Sequence, residues 1–254
     1  MSQTVSRAIT IMKFIAPEPR SLGEVAQRLD VHKSTALRLL QTLEHGGFAR
    51  QLSDGRYTVG FAIIPLAQHA LDQIDVRSIA HTHLQRLAAQ EGHTVHLAQL
   101  IGDEIIYVDK VEGSGTVAMG SRIGLPAEGH TAGVAKVILA HLDDLTLEKV
   151  IGQLSFRRYT SSTIVTPGAF QHELERIRRR GWAEDDGEKE DYINCVALPV
   201  PDASGQVRLG MSVTALRVKA PLAELRERIP EFRRVAAAIS RDLGWKGDDH
   251  VVRR

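Results

Sequence analysis

Apolar positions recur at helical spacing through residues 1–60. Val5, Ala8, Ile9, Met12 and Ile15 form one stripe, closed by Pro17-Glu18-Pro19, and predict a support helix over residues 4–15. Leu22, Val25, Ala26 and Leu29 repeat that spacing, with Ser21 and Glu24 placed to make a capping box. After the break Asp30-Val31-His32, a stripe of Ala36, Leu37, Leu40 and Leu43 runs to Gly46-Gly47. Residues 48–52 and 56–60 then read as two strands joined by Ser53-Asp54-Gly55, with glycine where a left-handed residue is wanted. Helix, tight turn, second helix and hairpin make a winged helix-turn-helix over residues 1–60.

Ile64, Ala67, Leu71 and Ile74 then line one side of a helix expected to link two domains over residues 61–76. That stripe needs cover, from a second copy of the chain or from its own domain. A second domain over residues 77–246 opens with an amphipathic helix at 77–91. Strands are expected at 94–100, 104–111, 117–120, 193–200 and 207–216. Helices are expected at 131–142, at 167–180 with Thr166 as cap and Pro167 in the first turn, at 222–228, and at 232–243 before the cap Gly244. An antiparallel sheet of five or six strands flanked by helices makes this an α+β fold. The charged residues 247–254 read as a frayed tail.

Composition adds direction to this layout. The chain of 254 residues is near neutral at +1, but residues 1–60 hold eight Lys and Arg against five Asp and Glu, a net +3. The basic excess lies where nucleic acid would dock. His32, Lys33, Ser34, Thr35, Arg38 and Gln41 fall at the start or on the outer face of the second helix of the pair. Such side chains hydrogen-bond base edges and phosphates, and Arg50 and Arg56 in the hairpin would reach the backbone. One cysteine, Cys195, excludes an intramolecular disulfide and suits a reducing, cytoplasmic location. No basic-then-apolar leader and no apolar run long enough to span a bilayer is visible.

Other clusters carry little chemistry. His81 and His83 point to different faces of a helix, as do His93 and His96 on a strand, so neither makes a metal pair. The acidic run Glu184, Asp185, Asp186, Glu188, Glu190, Asp191 reads better as a solvated loop than as a cation site. Cys195 with His130 as base would make a nucleophile pair, but no third orienting residue supports it. No cofactor is expected.

Eight segments in order, SRAITIMKFI, KSTALRLLQTLEHGGF, RYTVG, HTVHLAQL, HTAGVAKVILA, RRRGWAEDDGE, INCVALPVPDASGQ and ISRDLG, resemble the IclR family of bacterial transcription regulators over almost the whole chain. The resemblance implies a winged helix-turn-helix, a linker helix, a GAF- or profilin-like domain that binds a small-molecule effector, a double-stranded DNA operator as partner, and homodimers or homotetramers. It implies no catalytic activity. Matched position by position, the family pocket falls on Asp185, Cys195, Ser212 and Thr214, with Val117, Met119 and Leu125 as an apolar wall. Opposite them the helix start at Ala132, Gly133 and Val134 would offer free N–H groups, which favours a carboxylate. The chain departs from the family where Ala132-Gly133-Val134-Ala135-Lys136 replaces a Thr/Ser-Ala-x-Gly-Lys run, where Tyr192-Ile193 replaces a glycine, and at His93. The resulting expectation is a repressor that binds a palindromic operator and senses a small organic acid. The alternatives are an enzyme built on Cys195 and a DNA-binding scaffold without a ligand.

Overall fold

The computed structural model describes residues 2–72, 75–114 and 120–247. The chain divides into two compact units, Met1–Gln73 and Ile74–Arg254.

In the first unit, α1 (Gln3–Ile15), α2 (Leu22–Leu29) and α3 (Lys33–His45) precede a hairpin of β1 (Ala49–Gln51) and β2 (Tyr57–Val59), followed by α4 (Ile63–Asp72). The capping box closes as the sequence suggests: the Ser21 hydroxyl accepts from Glu24 N–H and the Glu24 carboxylate accepts from Ser21 N–H. Asp30 ends α2 in the left-handed region, at φ 50°, which makes the sharp turn into α3. Ile11, Ile15, Val25, Ala26, Ala36, Leu40, Ala49 and Tyr57 form the core. Leu39 and Leu43 pack against it, whereas Leu37, which spacing counts as buried, is only half-buried. Ala36, Leu39, Leu40 and Leu43 are the i, i+3, i+4, i+7 set, and Leu37 sits at the edge of that face. Phe61 and Ile64 at the start of the linker are exposed.

The second unit opens with α5 (Asp75–Glu91). Its sheet contains β3 (Thr94–Ile101), β4 (Glu104–Val111), β5 (Ala183–Asp186), β6 (Ile193–Val200) and β7 (Leu209–Leu216). Neighbouring strands run in the order β4-β3-β7-β6-β5, all pairs antiparallel. The helices α6 (Gly133–Leu139), α7 (Asp144–Ile151), α8 (Pro167–Arg180), α9 (Leu222–Glu227) and α10 (Ile229–Asp242) complete it. Both faces of the sheet are covered. Val95, Leu97, Val196, Leu198, Met211 and Val213 face α5 and α10, while Ala98 and Ala197 face α6 and α8. This explains why β6 is buried at every position and reads as a continuous apolar run.

Two elements are absent from the sequence expectation: α7, capped by Asp143, and the short edge strand β5. Most of the strand expected over 117–120 and most of the tail at 247–254 lie outside the described residues. The acidic run is not a solvated loop. Asp185 and Glu188 are buried, Glu184 pairs with Arg226 and Arg180, and Asp186 with Arg217. β5 carries half of that run into the sheet, and one buried lysine accounts for Glu188.

Candidate functional site

Two regions bring the candidate side chains together, one in each unit. In the first, His32 caps α3, its Nδ1 accepting from Ser34 N–H, which leaves Lys33, Ser34, Arg38 and Gln41 exposed along one side of the helix. Thr35 is half-buried. Lys33 and Arg38 have no ion-pair partner among the described residues. In the hairpin, Arg56 pairs with Asp54 at 2.7 Å and Arg50 lies 5.1 Å over the Phe61 ring. Both wing arginines are thus held in place while their guanidinium edges remain exposed.

In the second unit a cavity of about 340 Å³ lies between the α6 face of the sheet and the loops that cross it. Leu125, Ala132, Gly133, Val134, Asp185, Cys195, Ser212 and Thr214 all line it. Val117 and Met119 lie outside the described residues. Strand alternation supplies the sheet side. Cys195 stands opposite Thr214 in the register, Asp185 opposite Cys195, and His96 opposite Ser212.

Gly133 lets α6 approach this wall: a Cβ there would stand 2.6 Å from Cys195 Sγ. Two of the three N–H groups that the sequence suggests are free at the start of α6, those of Ala132 and Gly133, have partners. The N–H of Ala132 donates to the Glu128 carbonyl at 2.9 Å, and that of Gly133 is directed at the Cys195 sulfur. A loop that turns back before α6 and the thiol beneath it use up these donors.

His96, Tyr107, Ser121, Glu128, Thr131, Lys189, Glu190 and Ile193 also line the cavity, beyond the residues expected there from the sequence. His96 and Tyr107 carried a signal, as polar positions on the same alternating face as Ser212. Ile193 opens β6 as an apolar position, and the others lie on loops, where no period marks a direction. Thr131 Oγ1 is fully buried with no hydrogen-bond partner.

The electrostatics are uneven. Burial pushes the Asp185 carboxyl up to about 6, against the opposing pull of Lys136 and of the Glu188 N–H that it accepts at 2.7 Å. Burial likewise raises Glu188 to about 7, although its carboxylate is paired with the fully buried Lys136 ammonium. His96 is pushed down to about 3 by burial and by the Lys110 charge, so its ring is neutral. Cys195 is raised by burial and by Asp185, and stays a thiol. His130 turns Nε2 to the Arg157 carbonyl and stacks on Tyr159, while its Nδ1 is buried without a hydrogen-bond partner.

Known proteins show the same architecture. The chain matches the bacterial transcriptional regulator IclR C-terminal family over residues 68–241 and the IclR helix-turn-helix family over residues 4–53. It is 30% identical to the transcriptional regulator KdgR of Dickeya chrysanthemi over 231 residues, 90% of this chain and 76% of that protein. It is 26% identical to the transcriptional repressor IclR of Escherichia coli, over 95% of this chain and 88% of that one. The crystal structure of the Thermotoga maritima IclR superposes with a TM-score of 0.74 at 33% identity, covering 95% of this chain and 99% of that chain. These relatives are regulators, not enzymes. No described helix is long and apolar enough to cross a membrane. With both halves matched in order, an exposed polar face on the second helix of a winged pair, and a cavity in the sheet domain, the chain belongs to the IclR family of DNA-binding transcriptional regulators.

Proposed function

We propose that this regulator is a repressor that binds a palindromic operator as a dimer or a dimer of dimers and releases it in response to a small organic acid held in the sheet-domain cavity. His32, Lys33, Ser34, Thr35, Arg38 and Gln41 would meet the major groove, with Arg50 and Arg56 on the flanking phosphates. The effector would lie against Asp185, Cys195, Ser212 and Thr214. Lys189, a cation among the residues lining the cavity, would meet a ligand carboxylate, and Asp185 would take a ligand hydroxyl.

The observation that carries this reading is a cavity of about 340 Å³, large enough for a small metabolite, whose wall sets the Ser212 and Thr214 hydroxyls and the Asp185 carboxyl among apolar side chains. An IclR homologue from Microbacterium hydrocarbonoxydans is complexed with 4-hydroxybenzoate, so that acid belongs in a first screen beside glycolate and lactate. The test is a thermal-shift screen followed by titration of a protein–operator complex. Ser212→Ala with Thr214→Ala should leave operator affinity intact and blunt the response to the acid. An unaltered titration curve in that double variant would discard the site.

A further inference from the structure

His96 sits in the middle of the cavity wall, 3% exposed, and both of its ring nitrogens meet hydroxyl groups. Nε2 lies 2.8 Å from Ser121 Oγ and Nδ1 lies 3.3 Å from Thr214 Oγ1. A neutral imidazole has one N–H and one lone pair, so it donates to one of these hydroxyls and accepts from the other. Which way round decides what Thr214 can offer a ligand. If Nδ1 carries the proton, Thr214 accepts from the ring and its own hydrogen is free for the cavity. If Nε2 carries it, Thr214 donates to the ring and shows the cavity only lone pairs.

The surrounding charges favour the first arrangement. Lys110 stands opposite His96 in the β3–β4 register, and its ammonium donates to the Ser121 carbonyl at 3.1 Å, which places positive charge on the Nε2 side. Its counter-ion Glu112 is largely exposed and screened by water. On the Nδ1 side stands the neutral Thr214, on β7, the strand on the other side of β3 from Lys110. A lone pair toward the cation, with the N–H turned away from it toward Thr214, is the lower-energy choice. We propose that His96, held as the Nδ1–H tautomer, fixes the Thr214 hydroxyl as a donor into the cavity and thereby selects ligands that place an acceptor oxygen, as a carboxylate or carbonyl, at that point. This rests on reading the cavity as the effector pocket, and makes His96 a positioning residue of that pocket.

Magic-angle-spinning spectra of the full-length protein labelled with 15N-histidine, with His96 identified by difference from His96→Asn, read the tautomer directly. The expected result is an Nδ1–H ring that does not titrate across the neutral range; an Nε2–H or protonated ring overturns the role of His96. Affinity for glycolate, lactate and 4-hydroxybenzoate is then compared between variants shown by their melting curves to be folded. For each acid that binds, Thr214→Val and His96→Phe should each weaken binding about tenfold, and their combination no further, because both remove the same donor. His96→Asn, which keeps an amide N–H near the Nδ1 position, should bind as wild type does. Undiminished binding by His96→Phe overturns the proposal. Wild-type protein that binds none of the three acids overturns the cavity reading and the ligand class with it, an outcome distinct from an Nε2–H spectrum with binding retained.

Discussion

At the residue scale, Arg38 and Asp185 are the most informative positions, one on each unit. Arg38 is exposed on α3 with no ion-pair partner among the described residues, so its removal costs no packing. On the proposed reading, Arg38→Ala weakens operator binding by about 1–3 kcal/mol in a mobility-shift assay and leaves the melting temperature unchanged. Unchanged affinity would remove Arg38 from the interface. Asp185 is the opposite case, a group that costs stability where it stands. Its carboxyl titrates near 3.8 when unfolded and at about 6 in the fold, so the folded state binds the proton more tightly. Wild-type stability is therefore fully present below about 3.8 and falls as pH rises through about 6. Asp185→Asn lacks that fall. Near neutral pH the variant should be the more stable by roughly 2–3 kcal/mol, since each tenfold gain in proton affinity on folding is worth about 1.4 kcal/mol, and the gap should close at acid pH. Denaturant midpoints across this range check the sign. A variant less stable than wild type at neutral pH would show that the Lys136 charge outweighs burial at this site.

At the element scale, two local devices place the cavity wall, and they differ in how visible they are from sequence. Val108 is an extra residue in β4: Leu97 pairs with Asp109 and Ala98 with Tyr107, which leaves it unopposed. The bulge turns Val108 and Asp109 toward α5 while Tyr107 and Lys110 stay on the cavity side. Fully buried Asp109 then accepts from His81 at 2.7 Å and from Arg77 at 3.4 Å, tying α5 to β4. A strict alternating pattern cannot show this, since one extra residue reverses every later face. It also explains why His81 reads as an idle histidine until the bulge is known. Asp109→Ala should cost about 2–3 kcal/mol in urea denaturation, as a charged hydrogen-bond acceptor is lost. The second device is Gly133, packed on the Cys195 sulfur. Gly133→Ala should cost about 1–3 kcal/mol through overpacking, and Cys195→Ala in the same chain should recover most of it. Helices with caps and stripes, such as α2 and α8, are legible because the signal is local. β5 is not, because Ala-Glu-Asp-Asp becomes a strand only by pairing with β6. The same limit hid the cavity's loop residues, and it hid the buried environment that changes Asp185 from a solvated carboxylate into a perturbed one.

At the scale of the whole molecule, the two compact units divide between Gln73 and Ile74, inside the segment that the sequence suggests as a linker, and family membership follows from both halves matching in order. What one chain does not carry in its own contacts is its partner. Phe61, Ile64 and Leu66 are exposed, as are Val5 and Ile9 on α1. A second copy covering such surface would place two α3 helices at a fixed separation, and a palindromic operator would then have half-sites one helical turn apart, about 34 Å. That geometry makes a prediction independent of base contacts. Inserting about half a helical turn of DNA between the half-sites rotates one of them to the far side of the duplex and should abolish cooperative binding. Inserting a full turn restores the phase and should recover part of it, by an amount that measures how far the dimer can stretch. The measurement is a mobility-shift series on operators of graded spacing at one salt concentration, because phosphate contacts make every affinity salt-dependent. Smooth decline of affinity with spacing, and no return at the full turn, would indicate two heads tethered too loosely to sense phase. Affinity independent of spacing would mean that one copy of α3 reads the site by itself, and the exposed apolar residues would then need another explanation.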